Sequence, residues 1–119
     1  MRFKVFIFFL ATCFPNIFSG QQIKTQLTEK EKIEALISSI EDLKNAKFYR
    51  NGILYNAATA ANHLRMKYSK AGKEIKTAQD FIEKIASRSS ITGQAYKIVF
   101  SDGKVIPARK YFYDKLKTL

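Results

Sequence analysis

The clearest hydrophobic pattern in the chain lies between residues 27 and 45, where isoleucine and leucine recur every three or four positions. That spacing places them on one side of an α-helix, and we interpret the stripe as core packing. Thr28 precedes Glu31 by three residues, which is the spacing of a capping box at a helix start. A first helix is therefore predicted from Thr28 onward, and its apolar stripe consists of Ile33, Leu36, Ile37, Ile40 and Leu43.

Two stretches in which apolar and polar residues alternate predict short β-hairpins. In "KFYRNGILYN" (47–56) the turn is Asn51 followed by Gly52, two residues that tolerate positive φ in a tight turn. In the second stretch, "AYKIVF" (95–100) and "KVI" (104–106) flank a Ser-Asp-Gly sequence that is typical of turns. Each predicted pair of strands is local and antiparallel.

The segment between the two hairpins predicts a second and a third helix. Residues 56–72 form the second, with Asn56 as its cap and Gly72 at its end. Residues 77–87 form the third, and Thr77 is its predicted cap. The inward positions are expected to be Ala57, Ala61, Leu64 and Tyr68 in the second helix, and Phe81, Ile82 and Ile85 in the third.

A last helix is predicted over residues 107–119, with Pro107 at its first position, where proline is tolerated. The predicted order is α-ββ-α-α-ββ-α. Strands in local pairs, without long βαβ crossovers, indicate an α+β fold with four helices and a small antiparallel sheet. We assign residues 21–119 to this single domain.

The first twenty residues have a different character. Arg2 and Lys4 give a positive start, residues 5–11 are apolar, and the small residues Ser19 and Gly20 follow. This layout predicts a secretory signal peptide over residues 1–20, cleaved near Ser19 or Gly20. The apolar run is shorter than the roughly 20 residues of a membrane-spanning helix, and no such helix is expected in the mature chain.

Cys13 is the only cysteine of the chain and lies within the predicted signal peptide. An alternative interpretation is that "LATC" (10–13) is a lipoprotein box and that Cys13 carries a lipid anchor. If the signal peptide is removed, no thiol remains for a disulfide, a nucleophile or a metal ligand. With His63 as the only histidine, we predict no metal site and no cofactor.

Positive charge dominates the chain, which has a formal net charge of +11. Residues 44–76 contain eight basic residues and one acid, Glu74. Such a concentration predicts a negatively charged partner. Because export is predicted, we expect an anionic envelope component (a lipid headgroup, a polysaccharide or an acidic protein) and no nucleic acid. Nucleic-acid binding in the cytoplasm would require the signal-peptide prediction to be wrong.

The hydroxyl-rich stretch "SRSSITGQAY" (87–96) has three interpretations. The first is a structured connection whose hydroxyls satisfy backbone groups. The second is an anion cradle formed by Arg88, Ser89, Ser90 and Thr92. In the third, a serine of residues 87–92 acts with His63 in a serine-dependent hydrolase, although no nucleophile-elbow motif marks it.

Arginine positions suggest where an anion would bind. Arg50 borders the Asn-Gly turn and Arg65 lies on the second predicted helix, so both are expected in one neighbourhood. Because a guanidinium suits phosphate or carboxylate, we hypothesise that Arg50 and Arg65, with Arg88, form an anion-binding surface that Lys67 and Lys70 extend. The alternative is that each arginine pairs with an acid, such as Glu41 or Asp80, and braces the fold.

His63 is predicted not to be catalytic. It is adjacent to Leu64 at the edge of the apolar side of the second helix. We expect a partly buried imidazole that bonds to a backbone carbonyl or to a hairpin residue. No residue is assigned a catalytic role.

Four motifs, "FYRNG" (48–52), "AANHLRMKY" (60–68), "IKTAQDFIEKIASRSSITGQAY" (75–96) and "FSDGK" (100–104), resemble the YfeK-like family of small exported bacterial proteins, a domain of unknown function. The resemblance implies an envelope protein of Gram-negative bacteria and brings no reaction with it. Ala95 stands where members commonly have proline. The predicted function is thus non-catalytic binding of an anionic envelope component, in the periplasm or after secretion; the hydrolase is the alternative.

Overall fold

The computed structural model describes residues 26–119. The predicted signal peptide and Cys13 lie outside the described residues. The helices are α1 (Glu29–Glu41), α2 (Ala57–Ala71), α3 (Ala78–Phe81) and α4 (Ala108–Leu116), and the strands are β1 (Lys47–Arg50), β2 (Ile53–Tyr55), β3 (Lys97–Val99) and β4 (Val105–Pro107). A 3₁₀ turn, Gly72–Glu74, follows α2, and a π-helical turn, Ile82–Ala86, continues α3.

Side-chain caps begin three of the helices, as the sequence predicts. Thr28 Oγ1 accepts the Glu31 N–H at 3.1 Å, and Glu31 in turn accepts the Thr28 N–H at 2.9 Å. Thr77 and Asp80 form the same reciprocal pair, and Asn56 accepts the Thr59 N–H at 2.9 Å. These bonds satisfy N–H groups that a helix start leaves without intrahelical partners.

The two hairpins join into one four-stranded antiparallel sheet in the order β2-β1-β3-β4. The union occurs where β1 pairs with β3, which places Phe48 between Tyr55 on one side and Ile98 on the other. Asn51 and Gly52 have φ values of 51° and 85°, as a type I′ turn requires. The α+β class, the element order and the antiparallel sheet are therefore confirmed.

Every helix contributes to one cluster of buried apolar side chains, together with β1 and β3. Phe81 and Phe112 are among the largest fully buried side chains, with exposed fractions of 0% and 1%. The predicted apolar stripe of α1 lies in this core, and so does the predicted line of α2. The helices pack on one side of the sheet. On the other side Tyr49 and Lys97 are neighbours, and the Lys97 Nζ lies 5.6 Å from the ring centroid of Tyr49.

The third helix differs from the continuous α-helix that the sequence predicts. After Phe81 the helix widens into the π-helical turn, and the buried Ser87 hydroxyl donates to the Ile82 carbonyl five residues earlier. A π turn leaves carbonyls at its end free to bond to other groups. The Ile85 carbonyl bonds to the Lys67 side chain of α2.

Pro107 is also placed differently from the prediction. It is the last residue of β4 and the N-cap of α4, with extended backbone at φ −63° and ψ 139°. The helix begins one residue later, and the Ala108 N–H donates to the Tyr96 carbonyl at 2.9 Å. Because Pro107 is paired in the sheet with Lys97, it ends a strand rather than opening a helical turn.

Candidate functional site

Arg50 stands at the end of β1, where the turn holds its backbone. Its guanidinium carbon lies 5.6 Å from the ring centroid of Tyr55, and its Nη1 is 3.4 Å from the Tyr55 hydroxyl. Its Nε is buried and has no hydrogen-bond partner among residues 26–119. A buried donor without a partner costs about 1–3 kcal/mol, so this N–H is an unsatisfied donor next to the cavity described below.

Arg65 faces a different neighbour from Arg50. Its two terminal nitrogens donate to the two carboxylate oxygens of Glu41 at 3.0 and 3.2 Å, which ties α2 to α1. The hydrogen bond from Arg65 lowers the pKa of Glu41 below its ordinary value. The pairing with Glu41 is the bracing role that the sequence left open as an alternative for this arginine.

The hydroxyls of the 87–92 loop are engaged with the protein itself. The buried Ser89 Oγ accepts the N–H groups of Ile91 and Thr92, each at 3.2 Å, and the side-chain amide of Asn51 at 3.1 Å. Thr92 donates to the other end of the Asn51 amide at 2.6 Å. These bonds fasten the loop to the β1–β2 turn.

The remaining loop residues of the predicted anion cradle are Arg88 and Ser90. Arg88 and Ser90 are exposed, and Arg88 forms an isolated backbone bridge with Ala95. The Ser89 N–H donates to the Gln94 carbonyl, and the Gly93 N–H returns to the Ser89 carbonyl. Because these N–H groups donate to carbonyls of the loop itself, the loop geometry fits the interpretation as a structured connection.

Replacing Ser89 with alanine tests that interpretation. The change leaves two backbone N–H groups and the Asn51 amide without their common acceptor, so we expect the free energy of unfolding to fall by about 1–3 kcal/mol. Urea unfolding followed by circular dichroism measures it. The exposed Ser90 offers a matched control, since Ser90→Ala should change little; equal losses in both variants would contradict a structural role specific to Ser89.

Lys67 has a structural role that the sequence did not suggest. Its Nζ donates to the Ile85 carbonyl at 2.7 Å and to the Tyr96 hydroxyl at 2.9 Å, and lies 3.4 Å from the Arg88 carbonyl. These contacts connect α2 to the end of the π-helical turn. That Lys67 also extends an anion-binding field stays a prediction.

A cavity of about 240 Å³ lies between α2 and the sheet. Its inner wall is formed by core residues, and its outer wall contains exposed residues of α2, so the cavity reaches from the core to the surface. The surface that faces the cavity is almost wholly apolar, although the lining residues include polar ones, among them Arg50 and His63. The inner residues include Ile40, Phe48, Leu64, Ile98 and Phe112, and the outer ones include Thr59, Asn62 and Met66.

His63 lines this cavity and has an unpaired ring nitrogen. Its Nε2 is buried and, among the residues that the structure describes, has no hydrogen-bond partner; the predicted bond to a carbonyl or hairpin residue is not made by this atom. Burial lowers the pKa of His63, the nearby cations Arg50 and Lys67 lower it as well, and together these effects bring it to about 4. The imidazole is therefore neutral at pH 7.

The cavity thus has an apolar interior, and its lining includes Arg50, which has a buried N–H donor, and His63, which has an uncharged imidazole. An apolar pocket with a few convergent polar groups is the usual form of a small-molecule site. Arg50 was predicted from the sequence as a binding residue, whereas His63 was assigned no part in binding and the cavity was not predicted. No signal in the sequence indicates the cavity, because its walls come from seven separate elements.

Within residues 26–119, no group of three or more histidine, cysteine, aspartate or glutamate side chains is arranged to hold a metal ion. No helix in that range combines the length and the apolar character needed to cross a membrane.

Fold and cavity together define a small basic α+β protein with an apolar pocket whose lining includes Arg50 and His63. Residues 27–119 match the model of a family described as "Family of unknown function (DUF5329)", and the chain belongs to that family. A stretch of 68 residues is 42% identical to the "Uncharacterized protein YfeK" of Salmonella typhimurium, and it covers 57% of each chain. The resemblance to YfeK-like proteins is thereby confirmed. No solved structure matches the chain.

Proposed function

We propose that this protein is an exported bacterial envelope protein that binds an anionic envelope component without catalysis, and that the cavity beside Arg50 is the binding site. The observation that carries the proposal is the buried Arg50 Nε, which has no partner among residues 26–119. Arginine is the residue type best suited to bind a carboxylate or phosphate with directed hydrogen bonds.

The electrostatic surroundings of the cavity support an anion as the bound group. Arg50 is positively charged and lines the cavity, and no aspartate or glutamate of residues 26–119 is part of the lining. The formal net charge of +11 adds a favourable long-range field. Export to the envelope rests on the signal-peptide pattern of residues 1–20 and on the family resemblance.

The contacts of the loop serines and of His63 favour binding over the hydrolase alternative. A serine nucleophile needs a base within hydrogen-bond reach of its hydroxyl. Ser87 instead donates to the Ile82 carbonyl, Ser89 accepts from three N–H groups, and the His63 Nε2 has no partner in the described chain. These contacts leave the loop without the serine–imidazole pair on which the alternative depends.

Retention on anionic vesicles tests the proposal. The full chain is expressed in a Gram-negative host and recovered from the periplasmic fraction, where intact mass should show that about twenty residues have been removed. We expect vesicles of phosphatidylglycerol to retain the protein and vesicles of neutral phosphatidylcholine to release it. The variant Arg50→Gln should bind at least about tenfold more weakly, since a hydrogen bond to a charged group contributes about 1.5–3 kcal/mol.

Arg65→Gln is the matched control. It removes the same charge, but the contact that it breaks is with Glu41, and Arg65 does not line the cavity. Equal weakening by both variants would indicate a diffuse charged surface that includes Arg65. An uncleaved chain confined to the cytoplasm would refute export and return nucleic acid as the anionic partner. Retention that is indifferent to Arg50→Gln would refute the cavity as the site.

A further inference from the structure

Two residues that line the cavity, Arg50 and His63, each have an unsatisfied polar atom, and the two atoms are of complementary type. Arg50 Nε is a donor, and His63 Nε2 is an acceptor whenever the proton of the neutral ring is on Nδ1. Both atoms are buried and without partners among residues 26–119. Both residues line the same apolar cavity. A single ligand group that accepts a hydrogen bond from Arg50 and shares a proton with His63 would therefore satisfy both atoms.

We propose that the ligand is a carboxyl-terminated amphiphile, with an apolar chain in the cavity and its carboxyl group between Arg50 and His63. One carboxyl oxygen accepts the Arg50 Nε–H, and the other shares a proton with the His63 Nε2. This inference rests on the proposed function, because it names the chemical class of the component bound at the same cavity.

The size of the cavity limits the apolar part of the ligand. An apolar cavity of about 150 Å³ holds a benzene molecule, and this one measures about 240 Å³. By that comparison, a chain of roughly eight to ten carbon atoms fills it. Longer chains would have to leave through the side where Thr59, Asn62 and Met66 are exposed.

Proton balance follows from the groups that face the imidazole. Arg50 on β1 and Lys67 on α2 are the cations that act on His63. The other ionisable residues of the lining are Tyr49 on β1, Tyr55 on β2, and Tyr96 and Lys97 around the start of β3. At pH 7 the free ligand is a carboxylate and the free imidazole is neutral, so neither holds the proton that the bound pair shares. Binding therefore takes up one proton from solution.

The experiment is calorimetric titration, with octanoate, of the protein as recovered from the periplasm. Because one proton is taken up, affinity should fall about tenfold between pH 6 and pH 7. Titration in buffers of different ionisation enthalpy should report an uptake close to one proton for each ligand. Octanol and octylamine, which have the same chain length, should bind more weakly, and octanol without proton uptake.

Two variants separate the roles of the side chains. His63→Gln keeps a polar side chain that cannot titrate, so the proton uptake and the pH dependence should disappear while some binding remains. Arg50→Gln should weaken octanoate binding about tenfold or more at every pH. Arg65→Gln is the charge-matched control and should behave as the unmodified protein. Circular dichroism verifies that each variant is folded.

The outcomes distinguish this inference from the proposed function. If vesicle retention depends on Arg50 but octanoate fails to bind, or binds without proton uptake, the carboxyl-amphiphile inference is wrong and the proposed function stands. A pH dependence that survives in His63→Gln also refutes it. If octanoate binds as described but vesicles are not retained, the cavity binds carboxylates and the anionic lipid surface is excluded as its source. Failure of both measurements refutes both.

Discussion

Replacing Phe81 with alanine should lower the free energy of unfolding by about 3–5 kcal/mol, the usual cost of removing a buried aromatic ring. Phe81 has an exposed fraction of 0%. Its ring meets Tyr68 edge to face at 5.8 Å and Phe112 at 6.1 Å. The ring of Phe81 therefore joins α2 to α4, and no neighbouring side chain can fill its volume without leaving its own contact.

Denaturant unfolding at neutral pH measures the effect. Ile91 supplies the control, because it is apolar but 88% exposed at the tip of the loop, and Ile91→Ala should change stability by no more than about 0.5 kcal/mol. Phe112 also lines the cavity, so a Phe81→Ala variant that remains folded should bind ligand more weakly than the unmodified protein. A loss of stability no larger than that of Ile91→Ala would show that the three rings do not form the centre of the core.

The helix starts were predictable because a cap is a local interaction. Thr28 and Glu31 are three residues apart, and no distant residue is needed for their two bonds. The Asn51 and Gly52 turn is local in the same sense, since positive φ is a property of the residues themselves. The class and order of elements follow from such short-range signals.

Contacts between distant residues could be proposed from the sequence, but the sequence could not decide which of them form. Arg65 and Glu41 are separated by 24 positions, and the sequence left both a bracing and a binding role open for this arginine. The loop hydroxyls were similarly open, because the partner of Ser89 is Asn51, 38 residues earlier. In each case the deciding partner is brought close only by the packing of the whole domain.

The cavity and the π-helical turn left no recognisable pattern in the sequence. His63 is placed in the cavity by the distance between α2 and the sheet, which no periodicity describes. The widening of the third helix after Phe81 depends on Ser87 and Lys67, which bond to carbonyls within the turn. Helical periodicity over residues 77–87 is compatible with either form of helix, so the sequence predicted the commoner one.

Lys67→Met should lower the free energy of unfolding by about 2–3 kcal/mol, because hydrogen bonds that involve a charged donor contribute about 1.5–3 kcal/mol each. Methionine keeps the length and most of the apolar contact of the lysine side chain. The Ile85 carbonyl, 2.7 Å from the Lys67 Nζ, and the Tyr96 hydroxyl at 2.9 Å would lose their donor. Denaturant unfolding gives the size of this effect. Lys70→Met is the control, since Lys70 is exposed on the last turn of the same helix.

The same variant should change the titration of His63, which a purely structural role for Lys67 would leave unaltered. Lys67 is one of the two cations that hold the His63 pKa at about 4, so Lys67→Met should raise that pKa. In the unmodified protein the unfolded chain binds the proton near pH 6.5 while the native state binds it near pH 4, so native stability falls as the pH drops through this interval. The variant should lose less stability over the same interval. NMR titration of the single histidine measures the pKa directly, and an unchanged value in Lys67→Met would contradict the proximity of the two side chains.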